Sequence, residues 1–426
     1  MACQKGAPYD RGTLLVTKGT SPKEEKMKIV KPDYYDDFQC IAGDCPFTCC
    51  QDWKITVDKK AKKKWHGLKC PKEMNSDKKM LSNYITTVED VEAIKLKEDG
   101  KCPFLDEQKL CHIVKIYGES AVSHTCHTFP RETHEFEQRR ELSLTMGCPV
   151  ALDLLLEKDE FKIVEEGESK AKDVNPLYFL MREKFTSLMA NKDYSIEEVL
   201  KMIFFMMLSW DEKEQNGEEI TDKDIQEAFE EAFLEQLKQA VNEVNQDTFD
   251  TFMEQNELFL DLAENYRKKR IYTDVLEPLA KRAEIYERET LAQEGLKRRE
   301  EFEKVLLSYD KEIRLLMTEE LFTTLILPET DMYTMLLKLQ WQGMTYAVLK
   351  QCLFLYWDEH EGLSREELKK IVMVLIRMTG YTEADIEEYM ENSFEEIIWD
   401  WGYFALCVGK GKREIAEINA SMYLFE

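Results

Sequence analysis

The chain has 426 residues, of which 43% are hydrophobic and 33% charged, with 17 Gly and 11 Pro. That length and balance describe a folded chain with room for two or three units, and they exclude a small stapled scaffold, a collagenous repeat and a disordered segment. The formal charge of −26 repels phosphate backbones, so no nucleic-acid partner is expected.

Charge and cysteine divide the chain at one place. Residues 1–150 hold 25 Lys and Arg against 23 Asp and Glu, a net +2, while the remainder holds 33 against 61, a net −28. Ten of the 12 cysteines lie in the first part, leaving Cys352 and Cys407 beyond it. The amino-terminal stretch lacks the apolar core of a secretion signal, and no run reaches the roughly 18 apolar residues of a spanning helix. A cytoplasmic location follows as an expectation, and there clustered thiols stay reduced and serve metal or redox chemistry more often than bridges.

In chain order, residues 1–26 read as a flexible leader, polar and without periodicity. Residues 27–155 form a Cys-rich metal or iron–sulfur module with little strand, for which Lys54–Val57 and Glu141–Thr145 are the strand candidates. Between them the run Lys59, Lys60, Lys62, Lys63 and Lys64, closed by Trp65, reads as a solvated helical face, with peripheral contact to an anionic or membrane surface as the alternative. Residues 173–426 form an acidic helical region. Ser195 with Glu198, and Ser364 with Glu367, are capping boxes opening the apolar runs Val199–Leu208 and Leu368–Met378, the second ended by Gly380. From Thr221, Ile225, Ala228, Phe229, Ala232, Phe233, Leu237, Ala240, Val241 and Val244 recur at helical spacing as one core-facing stripe. Phe394–Cys407 reads as helix, with Asp400 between Trp399 and Trp401 as a structural helix-end residue. The fold class expected is mainly α.

The chemistry lies in the cysteines. Without Cys3 and the isolated Cys70, the set reads Cys40-x4-Cys45-x3-Cys49-Cys50, then Cys102-x8-Cys111-x14-Cys126-x21-Cys148. Pro follows Cys45, Cys102 and Cys148, and Gly stands at 43, 100 and 147; such residues make turns, which let several thiolates converge. Adjacent side chains usually diverge, so Cys49 and Cys50 are expected to serve different roles. Buried thiols acting as small hydrophobes, and a dithiol redox switch, are the alternatives to a metal site. Zinc is the default for four thiolates, but CxxC doublets are missing and an iron–sulfur cluster competes. The CxxxCxxC spacing of radical enzymes is absent, because position 52 is Asp. His112, His124, His127 and His134 lie among the cysteines and read as surface or supporting residues rather than ligands.

The segments FQCIAGDCPFTCCQDW at 38–53 and CPFLDEQKLCHIVKIYGESAVSHTCHTFPRE at 102–132, closed by Met146-Gly147-Cys148-Pro149, resemble the flagellin lysine-N-methylase family and the wider group of CxxCxxCC metal-chelating proteins. The resemblance is specific over about residues 27–155. It implies a bacterial, cytoplasmic, S-adenosylmethionine-dependent enzyme that methylates flagellin lysines, with a [4Fe–4S] cluster, or zinc in its place, on Cys40, Cys45, Cys49, Cys50, Cys102, Cys111, Cys126 and Cys148. Pro130 and Arg131 belong to the same motif and are expected to shape the site. The methyl donor's site and a catalytic base are not visible, since no strand leads into a Gly-rich turn of the doubly wound kind. An acidic surface suits a cationic methyl donor and a lysine substrate. The alternative is a non-catalytic zinc- or iron-chelating protein with a helical interaction domain.

Overall fold

The computed structural model describes residues 27–409 apart from 75, 89–90, 168–175, 245–246, 381 and 395–398. The expected leader 1–26 lies outside the described residues.

The amino-terminal part alternates short strands and short helices: β1 (Lys28–Pro32), α1 (Lys59–Trp65), β2 (Ile85–Val88), β3 (Val91–Ile94), α2 (His112–Tyr117), α3 (His124–Thr128), β4 (Arg131–Glu135), β5 (Arg139–Leu144), α4 (Pro149–Leu156) and β6 (Ile163–Glu166). One sheet has the order β4-β5-β1-β6, in which β1 runs parallel to β5, with Lys28 opposite Arg139, and antiparallel to β6. β2 and β3 form a separate hairpin. Of the two strand candidates, Glu141–Thr145 lies largely within β5. Lys54–Val57 does not become a strand: it makes one bridge, Thr56 opposite Ala93, flanked by Val57 N–H to Glu92 O and Ile94 N–H to Ile55 O. Asp58 ends it by capping α1, its carboxylate accepting from Lys60 and Ala61 N–H at 3.0 Å each. Ala61 and Trp65 are buried while Lys59, Lys60, Lys63 and Lys64 are exposed, the solvated face expected.

Among the described residues, twelve α-helices follow: α5 (Pro176–Ala190), α6 (Ile196–Gln215), α7 (Asp222–Ala228), α8 (Glu231–Glu243), α9 (Thr248–Lys269), α10 (Thr273–Ile285), α11 (Glu289–Leu306), α12 (Asp310–Thr324), α13 (Met332–His360), α14 (Arg365–Thr379), α15 (Glu383–Phe394) and α16 (Trp401–Val408). Helix accounts for 64% and strand for 10%, which makes the chain mainly α. Both capping boxes form as expected, with Ser195 and Glu198 opening α6 and Ser364 and Glu367 opening α14. α13 is buried along most of its 29 residues and on every side, its buried Lys, Gln and Asp side chains included. Such a helix has no solvent face, so its neighbours α6, α9, α14 and α16 wrap it.

The stripe expected from Thr221 to Val244 is corrected. The helix breaks between Ala228 and Glu231, which resets the helical phase. Ile225, Ala228, Leu237 and Val241 are buried, whereas Ala232, Phe233, Ala240 and Val244 are exposed. Phe394–Cys407 is not one helix either: Asp400 is extended and caps α16, accepting from Tyr403 N–H at 2.8 Å. Its role is structural, as expected.

Two hydrophobic cores result. A small one gathers Trp53, Ile55, Val57, Trp65, Leu81, Tyr84, Phe104 and Ile113. The large one fills the helical region and also takes in Tyr34, Phe38, Leu144, Met146 and Leu152, so the sheet and α4 are anchored in the helices. A buried ion pair fastens that junction. Arg182 on α5 donates to both oxygens of Glu141 on β5, at 2.7 and 2.5 Å, and to Phe322 O at 2.9 Å. Among the described residues, no helix is long and apolar enough to cross a membrane.

Candidate cysteine centre

Apart from Cys126 on α3, the motif cysteines lie on loops or at the first cap of a helix, and backbone hydrogen bonds hold the first two loops together. Gln51 bridges Lys101, Cys102 N–H donates to Cys50 O at 2.8 Å, and Asp52 N–H donates to Gly100 O at 3.0 Å. The first cysteine loop is thereby paired with the start of the second. The approach is close enough to require glycine twice. A Cβ on Gly43 would stand 2.6 Å from Gln108 O, and one on Gly100, whose φ is +75°, would stand 2.1 Å from the Asp52 carboxylate.

The second loop closes on itself. Leu105 bridges Cys111, and the Asp106 carboxylate accepts from Gln108 N–H at 2.9 Å, Leu110 N–H at 2.8 Å and Lys115 Nζ at 2.8 Å. The Lys115 bond, joined by the two amides, holds the Asp106 carboxyl below the usual carboxylate range. This loop brings Cys111 back beside Cys102, which explains the Asp in the C-P-F-L-D segment. Cys126 lies on α3, whose cap Ser123 accepts from Cys126 N–H at 3.3 Å. Asp58 accepts from His124 N–H at 2.7 Å and so ties α3 to α1. Cys148 is the amino-terminal cap residue of α4, with Pro149 at its first turn.

All eleven described cysteines are free thiols. Cys49 is the hub. It is an electrostatic neighbour of Cys45, Cys50, Cys102, Cys111, Cys126 and Cys148, which come from four separate stretches of sequence. Cys40 is exposed at the rim and reaches the group through Cys45. Cys70 stays apart, as expected, beside Lys78. Cys49 and Cys50 do not part company: the Cys50 thiol is close enough to Cys49 to raise it. Neighbours point to opposite sides in a strand, but residues 46, 47, 49 and 50 form bends, where that alternation does not hold.

Six of these thiols, Cys45, Cys49, Cys102, Cys111, Cys126 and Cys148, are held neutral by their surroundings. The neighbouring Cys50 thiol, then burial, raises Cys49 well above the ordinary thiol value. Burial raises Cys45, Cys102 and Cys111, and pushes Cys148 up to about 11. Cys126 has exposed surface, yet the protein mass around its thiol pushes it up to about 12. Thiols in this state are inert nucleophiles, and a bound metal ion would displace their protons.

A residue outside the cysteine motifs reaches the same place. Arg377 on α14 is buried and donates to Gly147 O at 2.9 Å, Thr48 O at 3.1 Å and Phe47 O at 3.0 Å, stacking on the Phe47 ring at 4.2 Å. Its charge favours the ionised forms of Cys45 and Cys49. The sequence carried a signal for it: a lone Arg inside the apolar run Leu368–Met378. Trp53, whose indole N–H donates to Cys49 O, is a second unforeseen support. Arg131 donates to Phe38 O at 3.2 Å and stacks on that ring, and Pro130 O accepts from Thr145 N–H at 2.9 Å. His124 and His127 are exposed, and His112 is half-buried.

In number and kind, these thiols fit a thiolate-held metal ion or cluster. Among the described residues, no three His, Cys, Asp or Glu side chains already stand as ligands around one point.

The FliB lysine N-methylase C-terminal domain family matches residues 182–407, more than half of the chain. The flagellar biosynthetic protein FliU of Salmonella muenchen is 28% identical over 185 residues, which cover 40% of this chain and 98% of that protein. The lysine-N-methylases of Salmonella choleraesuis and Salmonella typhimurium are each 29% identical over 155 residues, 33% of this chain and 36% of each relative. The chain therefore spans about a third of the length of those two enzymes. No solved structure matches it. With a family match running from Arg182, at the sheet junction, to Cys407 at the end of α16, the chain belongs to the flagellin lysine N-methylase family, a family of protein-lysine N-methyltransferases.

Proposed function

We propose that this chain methylates lysine side chains of flagellin in the bacterial cytoplasm, taking the methyl group from S-adenosylmethionine, and that its cysteine centre holds a [4Fe–4S] cluster. The family match over residues 182–407 carries the methylation reading. The convergence of thiols on Cys49 supports the cluster. When bound, such a cluster supplies one-electron chemistry at a potential set by its surroundings.

The protein's own residues have two tasks. Four of Cys45, Cys49, Cys102, Cys111, Cys126 and Cys148 would hold the cluster, with Cys40 and Cys50 at its margin. The helical region must bind the substrate amine and free it of its proton. At about pH 7 a lysine of reference pKa about 10.4 is neutral in only about one molecule in two thousand, and only the neutral amine attacks a methyl group. The net charge of −28 beyond residue 150 attracts both cations, the methyl donor and the lysine.

The test is transfer of labelled methyl from S-adenosylmethionine to purified flagellin by the anaerobically prepared, metal-replete chain. Label on flagellin lysines is the expected result. A folded, metal-replete chain that transfers no label overturns the reading in favour of a non-catalytic metal knot with a helical docking region.

A further inference from the structure

Four arginines among the described residues are buried outright: Arg182, Arg299, Arg314 and Arg377. Three have a carboxylate partner, Glu141 for Arg182, Glu303 for Arg299 and Asp310 for Arg314. Arg377 has no ion-pair partner among the described residues. Its hydrogen bonds go to the three carbonyls of Phe47, Thr48 and Gly147. The nearby groups are Asp52, close enough to feel its charge, and the neutral Tyr272. A buried cation without an anion is costly, and proteins keep one where an anion arrives or a ligand supplies it.

The three carbonyls are not arbitrary. Thr48 precedes Cys49, and Gly147 precedes Cys148, so one guanidinium fork ties together two loops about one hundred residues apart in sequence. The planar fork suits this, because its donors are fixed relative to each other. The closeness is tight: a Cβ on Gly147 would stand 3.2 Å from Arg377 Cγ. Several thiolates on one metal centre bring net negative charge to the same spot.

We propose that Arg377 is the positioning residue and built-in counter-charge of the cysteine centre, fixing the Phe47–Thr48 and Gly147 backbones and balancing the thiolates when metal is bound. It thereby links metal retention to the helical region that carries the family match. The inference rests on the metal reading given above.

The test compares anaerobically purified wild type with Arg377→Gln, Arg377→Lys and Arg314→Gln. Arg314 makes a similar fork, onto Met189, Asn191 and Tyr194 carbonyls, on the α5–α6 side of α12. Metal per chain is measured, then its rate of loss to EDTA. Arg377→Gln is expected to lose metal about tenfold faster than wild type. Arg377→Lys should fall between them because it keeps the charge, and Arg314→Gln should match wild type. Arg377→Gln retaining metal like wild type overturns the proposal. So does Arg314→Gln losing it equally fast, which would make the effect one of general loosening. A wild type that carries no metal removes the metal reading itself, and this inference with it.

Discussion

Cys49→Ser is expected to empty the centre: metal per chain falls to about a tenth of wild type or less, while Cys70→Ser leaves it unchanged. The difference follows from position. Cys49 is an electrostatic neighbour of six other thiols, and its carbonyl is held by the Trp53 indole, so a ligand set drawn from this group is expected to include it. Serine keeps the size but offers a hard hydroxyl in place of a soft thiolate. Cys70 lies away from the group beside Lys78. The measurement is metal analysis of both variants, purified without oxygen and checked for folding by circular dichroism. A Cys49→Ser protein with full metal content would contradict the hub.

Glu141→Ala carries the largest expected loss of stability, about 4 kcal/mol. Glu141 and Arg182 are 4% and 5% exposed at their side chains and meet through two bonds. Removing the carboxylate leaves a guanidinium buried with only Phe322 O and ring faces for company. The pair joins β5 to α5 and α12, so the loss should appear as early melting of the junction. Denaturant unfolding measures it. The double variant Glu141→Leu/Arg182→Met, which removes both members of this pair, should cost less than Glu141→Ala alone. A loss under about 1 kcal/mol for Glu141→Ala, the worth of a surface pair, would contradict this.

The helices were legible where the signal is local. The capping boxes at Ser195 and Ser364 mark the starts of α6 and α14 because the cap bonds lie within three residues. Strands were legible poorly, because their partners are remote. β1 pairs with β5 across more than a hundred residues, and β6, Ile-Val-Glu-Glu, is exposed along its whole length and shows no alternation. The stripe after Thr221 misled because periodicity alone does not reveal a two-residue break at Phe229 and Glu230. For the site, spacing set eight thiols apart but not their common neighbour Cys49, since the course of residues 46–50 depends on pairing with Gly100–Cys102. Arg377 stands out as an Arg in the apolar run Leu368–Met378, but its place at the centre was out of reach for the same reason. Its partners are carbonyls 230 and more residues away, and a carbonyl leaves no trace in side-chain sequence.

The most direct test is the composition of the centre in wild-type protein purified without oxygen: iron, zinc and acid-labile sulfide per chain, with the visible spectrum. About four irons and about four sulfides, with a broad band that bleaches in air, is the predicted result for a [4Fe–4S] cluster on these thiols. Zinc alone, without sulfide, would contradict it and make the cysteines a folding device.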